Sequence, residues 1–141
     1  MKLINFISLP RMVRDAKTDT KKLVLVVEDN IAESWALARL LRHAGYHSFE
    51  SRTLNEARAA LRTKPDLIVI DMHLPDGNGV EFCKELKATE ETARIPVILV
   101  SAMWDSEVDP ARFMASGAHS FFAKPLVRPE LIDTLKDILS K

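Results

Sequence analysis

Five short apolar runs that alternate with helix-like segments constrain the fold of this chain more than any other feature of its sequence. The predicted strands are residues 23–27, 46–51, 67–70, 96–100 and 120–123. The first run is apolar throughout, which is typical of a parallel strand covered on both faces. The second run mixes polar and apolar residues and suits the edge of a sheet. A chain of 141 residues fits one domain, and its alternating pattern predicts the α/β class.

Helical periodicity fills the intervals between the runs. We predict helices over residues 31–44, from 53 onward, 80–88, 110–115 and from 129 onward, and a non-helical turn over 74–79. Thr53 and Glu56 match a capping box, and Gly45 and Gly117 are helix stops. The core-facing helix residues are predicted to be Leu37, Leu40, Leu41, Ala44, Leu54, Ala57, Leu61, Leu131, Ile132, Leu135, Ile138 and Leu139. A doubly wound (βα)₅ sheet with right-handed crossovers and strand order 2-1-3-4-5 is the natural assignment.

Polar residues follow four of the five predicted strands. Glu28 and Asp29 follow the first strand, Asp71 the third, Ser101 the fourth and Lys124 the fifth. Because parallel strands end at one edge of a sheet, we expect these side chains to meet at the carboxyl edge, beside the switch point between strands 1 and 3. Three converging carboxylates repel one another, and a hard cation such as Mg²⁺ resolves that repulsion. Acids beside a lysine and a hydroxyl are suited to phosphoryl transfer.

From about Lys22 to the C-terminus the sequence resembles the receiver domains of two-component response regulators, which have a flavodoxin-like, CheY-like fold. The residues that carry the resemblance are Glu28, Asp29, Asp71, Leu74, Pro75, Asp76, Gly77, Ser101, Ala102, Phe121, Lys124 and Pro125. The resemblance implies that Asp71 is the phosphoacceptor. It also implies that Glu28, Asp29, Asp71 and the backbone carbonyl of His73 hold Mg²⁺. A lone histidine ring is a poor metal site, so a ring contribution from His73 is disfavoured.

The resemblance extends to a conformational switch. It implies that Ser101 hydrogen-bonds the phosphoryl group, that Lys124 pairs with the phosphoryl oxygens, and that Phe121 swings inward as the hydroxyl moves. Phe121 as an ordinary core residue is the alternative. The Lys124–Pro125 bond is similar to one that is cis in the family, and X-Pro bonds are where cis is least costly.

Four positions are peculiar to this chain. His73 and Met103 lie two residues after Asp71 and Ser101, and the resemblance implies that they border the acyl phosphate and tune self-dephosphorylation. We expect Met103 to screen water and slow that reaction. Ile31 and Trp35, four residues apart, face away from the predicted apolar stripe of the first helix, which suggests a partner anchor. The alternatives are an ordinary surface residue or packing under residues 1–22.

Charge and composition limit the remaining classes. The formal net charge is zero, but residues 1–22 contain six basic and two acidic residues, so the rest of the chain is mildly acidic and unlike a nucleic-acid-binding face. One cysteine, Cys83, rules out an intrachain disulfide, and we expect it to be a packed apolar residue. No stretch is a convincing signal peptide or membrane span, so a cytoplasmic location is expected.

We predict an N-terminal extension over residues 1–21, disordered or a short docking segment, and a receiver domain over 22–141; Met12 is an alternative start.

The expected partners are a sensor histidine kinase or histidine phosphotransferase as donor and an unknown protein target. We also allow a homodimer through helix 4, strand 5 and helix 5. The chain ends after the fifth helix without a DNA-binding module, and we expect no enzymatic activity beyond its own phosphoryl transfer and self-dephosphorylation. A pseudo-receiver scaffold is one alternative. An aspartyl phosphohydrolase needs a second Asp two residues after Asp71, where this chain has His73. Flavin binding is disfavoured because residues 28–30 would repel the flavin phosphate.

Overall fold

Five parallel strands with helices on both faces form the centre of the molecule. The computed structural model describes residues 20–102, 110–124 and 128–140, so most of the predicted extension 1–21 lies outside it. In chain order the elements are β1 (Leu23–Val27), α1 (Ile31–His43), β2 (His47–Ser51), α2 (Leu54–Ala60), β3 (Leu67–Asp71), β4 (His73–Leu74), β5 (Gly77–Asn78), α3 (Gly79–Ala88), β6 (Val97–Ala102), α4 (Pro110–Ser116), β7 (Ser120–Lys124) and α5 (Arg128–Leu139). A single 3₁₀ turn, Leu61–Thr63, follows α2.

The strand order of the main sheet is β2-β1-β3-β6-β7, and all four pairings are parallel. This is the order predicted from the sequence, with β6 and β7 as the fourth and fifth strands. The segment predicted as a turn after β3 is more regular than expected, because β4 and β5 form a small antiparallel ribbon. The chain reverses its winding direction between β1 and β3, so a crevice opens at the carboxyl ends of these strands.

Two apolar layers cover the sheet because successive side chains of a strand point to opposite faces. On one face Leu25 and Ile68 pack against the core side of α2 and α3, where Phe82 is 1% exposed. On the other face Val24 and Val69 pack with residues of α1 and α5. All five residues of β1 and of β3 are buried, whereas β2 is mostly half-buried, as the sequence predicted for an edge strand.

The helix boundaries follow local hydrogen bonds. The Asn30 side chain accepts a hydrogen bond from the Glu33 backbone N–H and begins α1, and Gly45, with φ of +99°, lets the chain turn after that helix. At α2 the capping box is only half formed: Thr53 Oγ1 accepts from the Glu56 N–H at 3.0 Å. The Glu56 carboxylate accepts instead from the Arg52 N–H at 2.9 Å, one residue before the cap.

Some of the residues predicted to lie in the core are fully buried, and the others are only half-buried. Leu131 and Leu135 of α5 are fully buried, as is Cys83. The other predicted core residues of α5 are half-buried, as are Leu40 and Ala44 of α1. Leu61 belongs to the 3₁₀ turn and is half-buried, because the shorter α2 places Ala60 in the core instead. Burial raises the pKa of the Cys83 thiol, which a hydrogen bond with Ser116 only partly offsets.

Among residues 20–102, 110–124 and 128–140, no helix has the length and apolar character needed to cross a bilayer.

Asp76, one of the residues that carry the receiver resemblance, has a structural task that the sequence did not reveal. Its two carboxylate oxygens accept hydrogen bonds from the backbone N–H groups of Leu54 at 2.8 Å and Asn55 at 3.0 Å. These N–H groups belong to the first turn of α2 and have no partner within the helix. Asp76 therefore ties the β4–β5 ribbon to the start of α2.

We expect Asp76→Ala to lower the free energy of unfolding in a pH-dependent way. The hydrogen bond from Leu54 is the main reason why the pKa of Asp76 lies below its ordinary value, with smaller contributions from Asn55 and Arg58. A depressed carboxyl pKa gives stability that is present above the unfolded pKa of about 3.9 and is lost as pH falls through the folded pKa. Urea denaturation of both proteins across a pH series should show the difference at neutral pH and its disappearance in acid. A difference that is the same at every pH would contradict this assignment.

Candidate functional site

The carboxyl edge of the sheet collects the polar residues predicted from the sequence. Glu28 directly follows β1, and Asp71 is the last residue of the neighbouring strand β3. The register pairs Asp71 with Val100, which places Ser101 one residue further along the adjacent strand β6. Lys124 ends β7 and pairs with Ala102 of β6. Parallel pairing alone therefore brings these residues of the chain to one edge.

Three carboxylates lie close together at this edge. Glu28, Asp29 and Asp71 each offer an oxygen, and these oxygens lie within 4.8 Å of one another. Glu28 is 7% exposed and Asp71 9% exposed, whereas Asp29 is open to solvent. Burial raises the pKa of Glu28 to about 7, although hydrogen bonds from Lys124 and from the Asn30 N–H oppose the shift. The cluster thus holds more negative charge than its surroundings readily accommodate.

Lys124 supplies the compensating positive charge. Its Nζ donates to Glu28 Oε1 at 2.7 Å, to Asp71 Oδ2 at 2.8 Å and to Glu33 Oε1 at 2.5 Å. Burial lowers the pKa of Lys124, but the hydrogen bonds to Asp71, Glu28 and Glu33 outweigh it, so that the pKa is raised overall. The ammonium therefore keeps its charge at any physiological pH.

Glu33 is a site residue that the sequence reasoning missed. It lies in the first turn of α1, and that helix begins at the site because Asn30 caps it directly after Asp29. The available signal was a third acidic residue four positions after Asp29, which would fall near the same edge. Ordinary exposed glutamates are also common in first turns of helices, so the signal is weak on its own.

Asp71 is fixed through both carboxylate oxygens. Oδ2 accepts from Lys124, while Oδ1 accepts from the His73 backbone N–H at 2.9 Å. The His73 residue itself is exposed and pairs with Asn78 across the β4–β5 ribbon. Behind the ribbon, the Gly79 N–H donates to the Met72 carbonyl at 2.8 Å. This compact backbone holds the Asp71 carboxylate in one orientation.

The two predicted switch residues are placed differently. Ser101 is completely buried at the end of β6. Phe121 is half-buried in β7 and contacts Phe113 of α4 edge to face, with ring centroids 5.9 Å apart and an interplanar angle of 64°. Phe121 therefore connects the strand that ends in Lys124 with α4. A change in the position of the Phe121 side chain would alter its packing against α4. The role of Phe121 as a switch stays a prediction.

The predicted docking pair on α1 faces solvent. Ile31 is 59% exposed and Trp35 54% exposed, and the Arg39 guanidinium lies 5.4 Å from the centre of the Trp35 ring. The prediction that this pair points away from the core is thus correct. Met103 and Pro125, and with the latter the predicted cis Lys124–Pro125 bond, lie outside the described residues.

The donor set of this edge fits Mg²⁺. Mg²⁺ binds oxygen ligands at about 2.1 Å, takes one or two carboxylates in most protein sites and keeps several waters. One exposed and two largely buried carboxylates offer hard oxygen donors on a side that water can reach. The three carboxylates could hold a hard cation, and the neighbouring ammonium could pair with an anionic group.

Comparison with known proteins agrees with this geometry. Residues 24–136 match the family model of the response regulator receiver domain. The polar-differentiation response regulator DivK of Brucella ovis is 36% identical over 119 residues, which cover 84% of this chain and 96% of DivK. The receiver domain of the Pseudomonas aeruginosa sensor histidine kinase PA1611, which has a magnesium ion coordinated in its active-site cleft, superimposes with a TM-score of 0.76 at 28% identity and covers 86% of this chain and 100% of that domain. The chemotaxis response regulator CheY4 of Vibrio cholerae gives a TM-score of 0.76 at 26% identity and covers 85% of this chain and 100% of CheY4. The chain therefore belongs to the response regulator receiver domain family of two-component signalling.

Proposed function

We propose that this protein is a phosphorylation-activated receiver that accepts a phosphoryl group on Asp71 and signals by protein–protein contact. The donor is a phosphohistidine on a sensor histidine kinase or a histidine phosphotransferase. The observation that carries the proposal is the Lys124 ammonium, which bridges Glu28 and Asp71 at 2.7 and 2.8 Å inside a cluster of three carboxylates. A purely structural lysine would not need a second and third acid at the same point.

The chemistry follows from the charges on these residues. An Asp71 oxygen attacks the phosphorus, an O–P bond forms, the P–N bond to the histidine breaks, and the electron pair stays on the imidazole nitrogen, which is reprotonated. Glu28, Asp29, Asp71 and the backbone carbonyl of His73 would hold Mg²⁺, which when bound neutralises charge on the transferred group. Lys124 pairs with the phosphoryl oxygens, and the His73 N–H keeps Asp71 oriented through the other carboxylate oxygen.

Activation is proposed to shift the population between two packings of one face. The phosphoryl group adds negative charge and new acceptor oxygens at the sheet edge. Ser101 moves to hydrogen-bond it, Phe121 turns inward, and the surface formed by α4, β7 and α5 is repacked. That surface is the proposed contact for a downstream protein or a second copy of the chain. His73 and Met103 tune self-dephosphorylation, and the protein acts in the cytoplasm.

Acetyl phosphate with Mg²⁺ tests the proposal directly. Intact-mass spectrometry should show a gain of one phosphoryl group per chain, which chelation of the metal prevents. Reductive trapping of the acyl phosphate followed by peptide mapping should place the label on Asp71. No gain in mass while Mg²⁺ still binds would point to a strict requirement for a cognate phosphohistidine. Failure of both labelling and Mg²⁺ binding would favour a scaffold without phosphoryl chemistry.

Trp35→Ala should weaken docking of the phosphodonor protein without unfolding the domain. The Trp35 side chain is more than half exposed and lies one turn after the start of α1, the helix whose first turn carries Glu33. Exposed aromatic residues are frequent anchors of interfaces, and their loss costs roughly 1–2 kcal/mol or more of binding energy. The measurement is the rate of phosphotransfer from a histidine phosphotransferase at limiting concentration, with the acetyl phosphate rate as control. Equal reduction of both rates would indicate damage to the site rather than to docking.

A further inference from the structure

The three contacts of Lys124 use all the hydrogen-bonding capacity of its ammonium group. A lysine Nζ has three N–H donors and no acceptor. In this protein those donors reach Glu28, Asp71 and Glu33. Before transfer, while Asp71 is still a free carboxylate, a phosphoryl oxygen of the incoming donor that pairs with Lys124 must therefore displace one of the three carboxylates. Which one it displaces determines how readily the site accepts the group.

Glu28 and Asp71 are poor candidates for displacement. Both are largely buried, and each accepts a second hydrogen bond from a backbone N–H, of Asn30 at 3.1 Å and of His73 at 2.9 Å. A buried carboxylate that loses its cationic partner is costly because water cannot replace that partner. These two acids also belong to the three-carboxylate cluster, whose mutual repulsion the Lys124 ammonium reduces, so separating either of them from Lys124 would be unfavourable.

Glu33 differs from them in every respect. Its side chain is 50% exposed, so water can solvate the carboxylate as soon as it leaves Lys124. It stands outside the three-carboxylate cluster. The helix does not need its side chain either, because the Glu33 backbone N–H is capped by Asn30 Oδ1 at 2.9 Å.

We infer that Glu33 is a positioning residue that holds Lys124 before phosphoryl transfer and competes with the incoming phosphoryl group for the third N–H donor. The inference rests on the proposed phosphoryl transfer to Asp71 and adds a residue that restrains it. Glu33 slows the reaction in two ways, because it occupies a donor and because its negative charge repels an anionic phosphodonor. When the phosphodonor docks, one of its phosphoryl oxygens takes the N–H donor that Glu33 had occupied, and the Glu33 side chain is released to solvent.

The test compares Glu33→Gln and Glu33→Ala with the unchanged chain. The second-order rate constant for labelling by acetyl phosphate should rise about two- to fivefold, the change in equilibrium that an exposed ion pair provides. The affinity for beryllofluoride, which mimics a phosphoryl group on a carboxylate, should rise by about the same factor in calorimetry. Mg²⁺ affinity measured without beryllofluoride and the thermal midpoint should stay close to those of the unchanged chain. A merely structural role would move the thermal midpoint instead.

Glu130→Gln is the matched control, because Glu130 is an exposed glutamate in the first turn of α5, as Glu33 is in α1. It removes the same charge from a helix N-terminus and should leave labelling and beryllofluoride affinity unchanged. Labelling by the Glu33 variants that is equal to or slower than that of the unchanged chain would overturn the inference, as would a fall in Mg²⁺ affinity of more than about fivefold, which exceeds the effect of one exposed charge. If the unchanged chain neither labels nor binds beryllofluoride, the proposed function fails and the role of Glu33 fails with it. A gain that persists in high salt, where charge repulsion is screened, assigns the effect to the direct contact.

Discussion

Replacing Asp71 with alanine should abolish labelling by acetyl phosphate, so that the mass of the chain stays unchanged after incubation with Mg²⁺. The carboxylate is the only part of Asp71 that can form the acyl phosphate, and it is the group held between Lys124 and the His73 N–H. Mg²⁺ affinity should also fall, because one of the three clustered carboxylates is lost. Intact-mass spectrometry and calorimetry measure the two effects.

The Asp71→Ala variant should nevertheless be folded, since removing one of three neighbouring negative charges relieves repulsion and leaves Lys124 paired with Glu28 and Glu33. A thermal midpoint at or above that of the unchanged chain would confirm this. Asp133→Ala is the control, because Asp133 is an exposed residue of α5 and its loss should not affect labelling. Labelling that persists in Asp71→Ala would show that the acceptor is another residue.

Gly79→Ala should reduce both stability and phosphorylation, although the residue carries no functional group. A methyl group at Gly79 would overlap the backbone carbonyl oxygen of Asp71 and lie 3.0 Å from Ile70 Cγ2 and from the Met72 Cα. Two of these neighbours are backbone atoms, which cannot move aside without displacing the acceptor strand. Overpacking of this kind costs about 1–3 kcal/mol or more. Urea denaturation and the acetyl phosphate rate report the two effects.

Gly45→Ala is the control that distinguishes a general loss of stability from a displacement of Asp71. Gly45 has φ of +99° and no atom within 4 Å of an added methyl group, so its substitution is unfavourable for backbone reasons alone. It lies between α1 and β2, at the opposite edge of the sheet from Asp71. We expect it to lower stability by about 1 kcal/mol while the labelling rate stays unchanged. An equal loss of labelling in both variants would mean that global stability, and not the position of Asp71, limits the reaction.

The order of elements could be predicted because it depends on local periodicity. Continuous apolar runs mark strands buried on both faces, and the mixed run at residues 46–51 marks an edge. The order 2-1-3-4-5 did not follow from these runs; it was assigned as a common order of doubly wound sheets, and the structure confirms it. The location of the site could also be predicted from the sequence, because parallel strands end at one edge of the sheet and the polar residues directly follow those strands. Glu28, Asp71 and Lys124 meet there as expected.

Several details could not be predicted because they depend on contacts between distant parts of the chain. Glu33 joins Lys124 across 91 positions, and Asp76 caps α2 from 22 positions away. A first-turn glutamate and an aspartate in a turn have ordinary local explanations, so neither pattern distinguishes these tasks. Half of the capping box predicted at Thr53 is absent for a similar reason, because the Glu56 carboxylate accepts a hydrogen bond from the Arg52 N–H and not from the Thr53 N–H.

The sequence by itself determined the class of this protein: which segments are strands, which polar residues follow them, and hence that Asp71 stands among acids and a lysine at one edge of a parallel sheet. Only the tertiary structure decided how the charges at that edge are shared. The third N–H group of Lys124 donates to the exposed Glu33, and burial raises the pKa of Glu28 to about 7. The missing side chain of Gly79 leaves room for the backbone carbonyl of Asp71. Periodicity along a chain encodes direction and burial, whereas the distribution of hydrogen bonds among competing partners depends on distances that exist only after the strands and helices have packed.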